Sequence, residues 1–425
     1  MTCYWVLFFL CVQSFLFSRP LEVSVSAKSA ILINADNGKI LFAKNIDDLR
    51  PPGSTTKIAT CLFSLQRIKD LEEQIKAPMD CLIKIPHKVK QEREYRDVAY
   101  RLEPDGTSYG IYAGESLSIK NLLYGLMLSS GNDAANVLAH HLSEGNITAY
   151  MEDLNEYLHS IGCLSTTFFN PHGLHYPQHL TTARDLATLA REAIKHPLFL
   201  DIIQTQKHER PKTNKQAPYT VWTRNQLLRK GPFYYPKAFG IKTGYHAAAG
   251  HVFVGAARDE YRTLISVVLG SSTRDEKFRD TIKLFDAAFA EKRLARHLLN
   301  KQESIFRMKV KGAKKSLQAG LQEDIIMHYF PSEEEELFPK LIWNSLTLPI
   351  KKGQTVGALQ INTEQGKTVR TEFIYAIEDL DFARAYKMVH WLLCWKHGGF
   401  LLGAILTVSI ALTMYKRKIV SAETK

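Results

Sequence analysis

Apolar and polar residues alternate along "SAILINADNGKILFAKN", residues 29 to 45, and the alternation reverses around Asp36-Asn37-Gly38. A period of two interrupted by Asn-Gly predicts a β-hairpin. The period then changes. In "PPGSTTKIATCLFSL", residues 51 to 65, Ile58, Leu62 and Leu65 recur at helical spacing behind Gly53 and two prolines, so a helix is expected from Ser54. Residues 119 to 142 and 148 to 162 keep the helical period, as does "TTARDLATLAREAIKH", where Thr181 or Thr182 can cap and Leu186, Leu189 and Ala190 form one apolar face. After "FGIKTG" come two β-rich runs in "AGHVFVGAARDEYRTLISVVLGS", joined at Arg258-Asp259-Glu260, and then a helical "FRDTIKLFDAAFAEKRL". Strands at both ends with helices between predict an α+β domain whose terminal strands share one antiparallel sheet. From about residue 300 short runs such as "SIFRMKVK", "LIWNSLTLPI" and "TVGALQI" are separated by turn signals, which predicts a small β domain.

Two uniformly apolar runs frame this body. "YWVLFFLCVQSFLF", residues 4 to 17, has the length of a signal-peptide core and is too short to span a bilayer. No Lys or Arg precedes it, and Val25-Ser26-Ala27 is the best small-residue cleavage pattern, with an earlier junction near Ser18 as the alternative. "GGFLLGAILTVSIALTMY", residues 398 to 415, is uncharged, long enough to cross a bilayer and followed by Lys416, Arg417 and Lys418. The expected organisation is a signal peptide at 1–27, an α+β domain at 28–298, a β domain at 299–380, a juxtamembrane segment at 381–397, a transmembrane anchor at 398–415 and a cytoplasmic tail at 416–425. The body is then held at the cell membrane on its extracytoplasmic (periplasmic) side.

A chain of 425 residues accommodates two domains. Its 55 Lys plus Arg against 43 Asp plus Glu give net +12, spread along the chain rather than gathered into a nucleic-acid stripe, which suits an anionic wall polymer or membrane surface. Outside the two apolar ends and Cys394 beside the second, the cysteines are Cys61, Cys81 and Cys163, an odd number without zinc spacing. His172, His175 and His179 lie in a Pro- and Gly-rich segment with no carboxylate set, so they are read as structural rather than metal-binding. Asn146-Ile147-Thr148 matches a glycosylation acceptor incidentally.

Chemistry enters with three short motifs. Ser54 and Lys57 stand at i and i+3, one helical turn apart, where a lysine amine can meet a serine hydroxyl. Ser130-Gly131-Asn132 lies between helical segments, and Lys242-Thr243-Gly244 opens a strand. Each is weak alone, but Ser-x-x-Lys, Ser-x-Asn and Lys-Thr-Gly each occur once and in that order. That set belongs to β-lactamases and penicillin-binding proteins. The chain resembles the D-alanyl-D-alanine carboxypeptidases, the low-molecular-mass penicillin-binding proteins, through "PPGSTTK", "GESLSIKNLLYGLMLSSGNDAANVLA", "FFNPHGLH", "TTARDLATLA", "TRNQLL" and "GIKTGYHAAAG".

The resemblance implies a β-lactamase/transpeptidase-like catalytic domain with no cofactor and no metal, acting on peptidoglycan stem peptides and acylated by β-lactams. By it, Ser54 is the nucleophile on the penultimate D-alanine, and Lys57 is the general base, its pKa lowered by burial and by Lys242 as second cation. Ser130 relays a proton to the leaving amine and Asn132 orients Lys57 and the substrate amide. Lys242, Thr243 and Arg224 hold the terminal carboxylate. The amides of Ser54 and of Tyr245, beyond Gly244, form the oxyanion hole. Relatives carry His or Thr where Tyr245 stands, and a second carboxylate-binding arginine has no secure equivalent between Arg274 and Lys277. A D,D-endopeptidase uses the same residues. A β-lactamase is disfavoured because "PHGLHYPQHLTTARD" lacks a glutamate. A wall-binding scaffold with a relic site would show damage in a motif, and none is damaged.

Overall fold

The computed structural model describes residues 20–383. Strands β1 (Ser29–Asn34) and β2 (Ile40–Lys44) form the expected hairpin, with Ile31 opposite Ala43. β3 (Ala238–His246), β4 (Gly250–Arg258) and β5 (Thr263–Ser271) join them in one antiparallel sheet of order β2-β1-β5-β4-β3. The two ends of the domain thus share a sheet, and β3 is left as its edge. β1 is buried at all six positions, because both faces of the sheet are covered. Ile31 and Ile33 pack with the helices that follow, while Ala30 and Leu32 pack with Phe278 and Phe285 of the helix after β5.

The longer helices are α1 (Lys57–Arg67), α2 (Ile119–Met127), α3 (Asn132–Leu142), α4 (Ile147–Ser160), α5 (Ala183–Ala193) and α6 (Arg274–Phe289), with shorter ones at His87–Glu92 and Pro197–Gln204. The helical run at 119–142 is broken at Ser130-Gly131, as its place between helical segments predicts: Ser130 has φ 64°, a left-handed conformation that no α-helix tolerates. Ser54 lies in a 3₁₀ turn (Gly53–Thr56) ahead of α1, and no side-chain cap bond is made there. Elsewhere capping follows sequence: Thr182 accepts from Asp185 N, and Thr273 with Glu276 makes a capping box. Asn146 Oδ1 accepts from Ala149 N at 3.1 Å, so the Asn of the Asn-Ile-Thr triplet serves as an N-cap worth about 1 kcal/mol. Cys61, Cys81 and Cys163 are buried free thiols.

Residues 20–27, expected in the leader, are instead part of this unit. Val25 and Ala27 are buried in the cluster around Phe278, Leu21 N donates to Leu41 O, and Asp280 accepts from Ser26 N, Ser26 Oγ and Ala27 N at 3.1, 2.9 and 2.9 Å. Cutting after residue 27 would leave the Asp280 carboxylate, 1% exposed, without these donors. A polar hairpin that the apolar pattern does not announce, Lys207–Arg210 with Tyr219–Trp222, is fastened by a fully buried ion pair between Arg210 and Glu115.

The chain divides near Lys292. Of the described residues, 20–292 with Pro331–Glu333 form one unit, and Arg293–Phe330 with 334–383 form the other. The second unit is all β. Strands Phe306–Met308, Leu317–Gly320, Thr368–Ala376, Thr355–Thr363 and Leu337–Trp343 make an antiparallel sheet in that spatial order over a core that includes Leu317, Val356, Leu359 and Ile374. The fold is thus an α+β catalytic-type unit followed by a β domain. The expected anchor at 398–415 and the apolar run at 4–17 lie outside the described residues, among which no helix is long and apolar enough to cross a membrane.

Candidate active site

The tight turn before α1 brings Ser54 over Lys57. Lys57 Nζ lies 3.1 Å from Ser54 Oγ, 2.7 Å from Asn132 Oδ1 and 2.5 Å from the His172 carbonyl oxygen. Lys57 is fully buried, and burial holds its amine well below the usual lysine value; the Asp133 carboxylate opposes this and Arg224 reinforces it. A neutral amine has two N–H bonds and one lone pair. The two carbonyl-type oxygens take the N–H bonds, so the lone pair is left for the Ser54 hydroxyl. Burial is the main cause, Arg224 adds to it, and Lys57 and Lys242 also act on each other as neighbouring cations.

Lys242 serves the second serine. Its Nζ donates to Ser130 Oγ at 2.9 Å and to the Thr243 carbonyl at 2.9 Å, and burial followed by the charges of Lys57, Arg224 and Lys277 also holds it well below the usual range. Ser130 is turned toward Lys242 by the same left-handed φ that breaks the helix, and Thr107 Oγ1 donates to its carbonyl at 2.6 Å. Asp133, which sequence reading passed over, fixes the neighbouring loop: its carboxylate accepts from Ser108 Oγ, the amides of Tyr109, Gly110 and Ile111, and that of Ala134, all within 3.0 Å. Its only sequence signal is its place directly after Asn132.

Gly244 is where the edge strand meets the turn. A Cβ there would lie 2.8 Å from Ser54 N and 2.6 Å from Val252 Cγ2; a Cβ on Gly53, at φ 53°, would lie 3.4 Å from Tyr245 N. The amides of Ser54 and Tyr245 are therefore neighbours, on a 3₁₀ turn and on an edge strand whose alternate backbone groups face away from the sheet. Gly244→Ala is expected to push Ser54 outward and slow acylation by a fluorescent penicillin about 100-fold. An unchanged acylation rate would show that the strand and turn are not held this closely.

The remaining expected residues lie on the edge strand and beside the Ser129–Ser130 loop. Thr243 is 9% exposed, and Arg224, largely exposed, donates from Nε to the Ser129 carbonyl at 2.8 Å, with burial and Arg274 lowering its pKa. Tyr245 is 60% exposed and stacks on His251 with ring centroids 4.4 Å apart. Lys277 is buried, its Nζ 3.3 Å from the Gly244 carbonyl, and burial with Arg274 nearby brings it down to about 8. Of the two cations left open beyond the strand, Lys277 is thus the one in contact with Gly244.

The histidines separate by role. His172 accepts from Leu174 N at Nδ1, so its Nε2–H donates to the Tyr100 carbonyl, while its own carbonyl receives Lys57. His179 accepts from Phe169 N at Nδ1, so its Nε2–H donates to Thr56 Oγ1 in the Ser54 turn. Burial is the first cause that keeps both rings neutral, taking His179 down to about 3. Among the described residues no group of His, Cys, Asp and Glu is arranged to hold a metal.

A family profile described as D-alanyl-D-alanine carboxypeptidase, peptidase S11, matches residues 16–273, and one described as the C-terminal domain of penicillin-binding protein 5 matches residues 296–381. D-alanyl-D-alanine carboxypeptidase DacF of Bacillus subtilis is 28% identical over 366 residues, 85% of this chain and 88% of that protein. DacA of Haemophilus influenzae is 27% identical over 380 residues, 88% and 91% of the two chains. Among solved structures, penicillin binding protein 5 from Haemophilus influenzae matches with TM-score 0.58 at 24% identity over 84% of this chain and 98% of that one, which speaks to fold. The Streptomyces K15 DD-transpeptidase matches with TM-score 0.54 at 25% identity over 63% and 98%.

Proposed function

The chain belongs to the D-alanyl-D-alanine carboxypeptidase family, peptidase S11, and from that premise we propose that Ser54 is the residue it acylates while removing the terminal D-alanine from peptidoglycan stem peptides. The protein is a serine-type D-Ala-D-Ala carboxypeptidase. The observation that carries the assignment of Ser54 is the third contact of Lys57: with Asn132 Oδ1 and the His172 carbonyl taking its N–H bonds, the amine faces Ser54 Oγ at 3.1 Å.

Ser54 Oγ gives its proton to Lys57 Nζ as it attacks the carbonyl of the penultimate D-alanine. The developing oxyanion is held by the amides of Ser54 and Tyr245. The C–N bond breaks as Ser130, in contact with Lys242 Nζ, gives its proton to the leaving nitrogen and takes the one held by Lys57, which returns Lys57 to the neutral amine that can take a proton from the attacking water. Thr243, Lys242 and Arg224 bind the terminal carboxylate, and water attacks the ester to regenerate Ser54. A β-lactam carries the same carboxylate beside its amide and enters by the same steps.

The test is mass spectrometry with a synthetic stem pentapeptide and with benzylpenicillin. Released D-alanine, and one penicilloyl group on the peptide that contains Ser54, are expected. An adduct on another residue, or rapid repeated turnover of nitrocefin, would sink the assignment. We further propose that a leader ends upstream of Leu21, near Ser18, where it leaves the Asp280 clamp whole, and that the run at 398–415 anchors the enzyme with its catalytic unit on the extracytoplasmic side of the cell membrane. The apolar character of both runs and the basic residues after the second support this reading.

A further inference from the structure

The polar hairpin at 207–222 reaches the Ser130 loop from behind by two routes. On the first, Arg210, fully buried, donates from one terminal nitrogen to the Tyr109 carbonyl at 3.2 Å and to the Tyr219 hydroxyl at 2.7 Å, and from the other to Glu115. Its guanidinium also lies over the Tyr109 ring, 4.7 Å from the centroid. On the second, Arg224, just past the hairpin, donates to the Ser129 carbonyl at 2.8 Å. We propose that the Arg210–Glu115 pair positions Ser130: acting through Tyr109, it sets where the Ser130 hydroxyl stands and so governs the proton transfer to the leaving nitrogen.

Tyr109 is the link. Asn132 N donates to the Thr107 carbonyl at 2.9 Å and Thr107 Oγ1 to the Ser130 carbonyl at 2.6 Å, so residues 107–109 run beside 130–132. A Cβ on Gly131 would stand 2.8 Å from Tyr109 Cβ and 3.0 Å from Tyr109 N, and the Tyr109 ring leaves no room for one on Gly125, whose carbonyl accepts from Gly131 N at 3.0 Å. A shift of Tyr109 therefore passes straight to the loop. Asp133 holds the Tyr109 amide at 2.7 Å, and Arg210 with Tyr219 holds its carbonyl. Ser130 depends on that grip, because a non-glycine residue at φ 64° persists only where its surroundings enforce it.

Stability gives little reason for charge at this place. A buried ion pair is often matched by apolar residues of similar volume, since desolvation offsets the attraction. What the charges add is direction. Glu115 accepts from Thr213 Oγ1 at 2.5 Å, Gln216 Nε2 at 2.8 Å and the Tyr112 amide at 2.9 Å, and the planar guanidinium it grips presents its other N–H groups at fixed angles. Both side chains are fully buried, so neither touches the substrate. They are positioning residues, in a role that rests on the mechanism above.

The leaving group distinguishes this role from a general structural one. A peptide nitrogen needs the Ser130 proton in order to depart, whereas a thiolate does not. When D-2-mercaptopropionate replaces the last D-alanine of a synthetic stem pentapeptide, the C–S bond breaks with its electron pair on sulfur, the terminal carboxylate is kept, and the proton held by Lys57 passes to water. The quantity to measure is kcat/KM, which reports the steps through acylation, for the peptide and for this thioester. Two variants are compared with the wild-type protein: Arg210→Lys keeps the charge without the planar fork, and Arg210→Met combined with Glu115→Leu leaves no unpaired charge. Each is expected to lower kcat/KM about 10- to 100-fold for the peptide and less than about threefold for the thioester.

Ser130→Ala should show the same split, and adding the double change to Ser130→Ala should widen it no further. Equal losses on both substrates, an unmoved peptide rate, or a split that widens again in the absence of the Ser130 hydroxyl would each overturn the positioning role. No D-alanine released from the peptide by the wild-type protein would overturn the substrate reading instead, and no split in Ser130→Ala would overturn Ser130 as the proton donor; the positioning role would fall with either.

Discussion

Ser54→Ala is expected to lower D-alanine release by at least about 10⁴-fold and to eliminate the penicilloyl adduct, because no other hydroxyl can replace Ser54 Oγ at the lone pair of Lys57. Ser130 is the nearest rival in kind, yet its Oγ is engaged by Lys242 at 2.9 Å and it sits on a separate loop. The change removes an oxygen that caps no helix, so the melting temperature should shift by no more than a few degrees. The oxyanion amides and carboxylate-binding residues survive, so the variant should still bind the pentapeptide. Retained D-alanine release, measured by a coupled D-amino-acid oxidase assay, would mean that the nucleophile lies elsewhere.

Lys57→Met should cost about 10²- to 10⁴-fold in the acylation rate, the usual worth of a positioned general base, while leaving a side chain of similar length in the same cavity. Two pH effects accompany it. In the wild-type protein acylation weakens as falling pH protonates the amine, and this acid limb should vanish in the variant. Stability moves too. Lys57 in the folded protein titrates well below its value in the unfolded chain, so between those two pH values the unfolded chain binds one more proton, and stability rises with pH across that window. Lys242 contributes in the same direction. Melting temperatures from pH 6 to pH 10 should therefore climb in the wild-type protein and climb less steeply in Lys57→Met. An acid limb retained in the variant would assign the titration to another group.

Some of this site could be read before folding was considered. The i to i+3 spacing of Ser54 and Lys57 requires only one turn of helix, whether 3₁₀ or α. The edge position of β3 follows less directly, but the alternation in residues 250–271 and in 29–45 already calls for one sheet joining the two ends of the domain. Other features carry no residue-type signal. The third partner of Lys57 is a backbone carbonyl at His172, and any residue has one. That Ser130-Gly131-Asn132 falls between helical segments is legible, but the left-handed φ of Ser130 is not. The polar hairpin at 207–222 is set by a buried Arg210–Glu115 pair between segments 95 positions apart, far beyond any local pattern.

What the sequence by itself determined is the set of proposed reacting groups, their order and the elements that present them. Those depend on spacing, turn chemistry and periodicity, which are local. The tertiary structure alone decided the charge state and the partners of those groups. Lys57, the proposed base, has its amine held low by burial among groups that include Asn132 of α3 and the His172 carbonyl, and desolvation is the sum over everything that surrounds an atom. The same holds for the histidines: near one another in sequence, His172 and His179 became interior braces, while His175 was turned outward to meet His87 and His246 from distant segments.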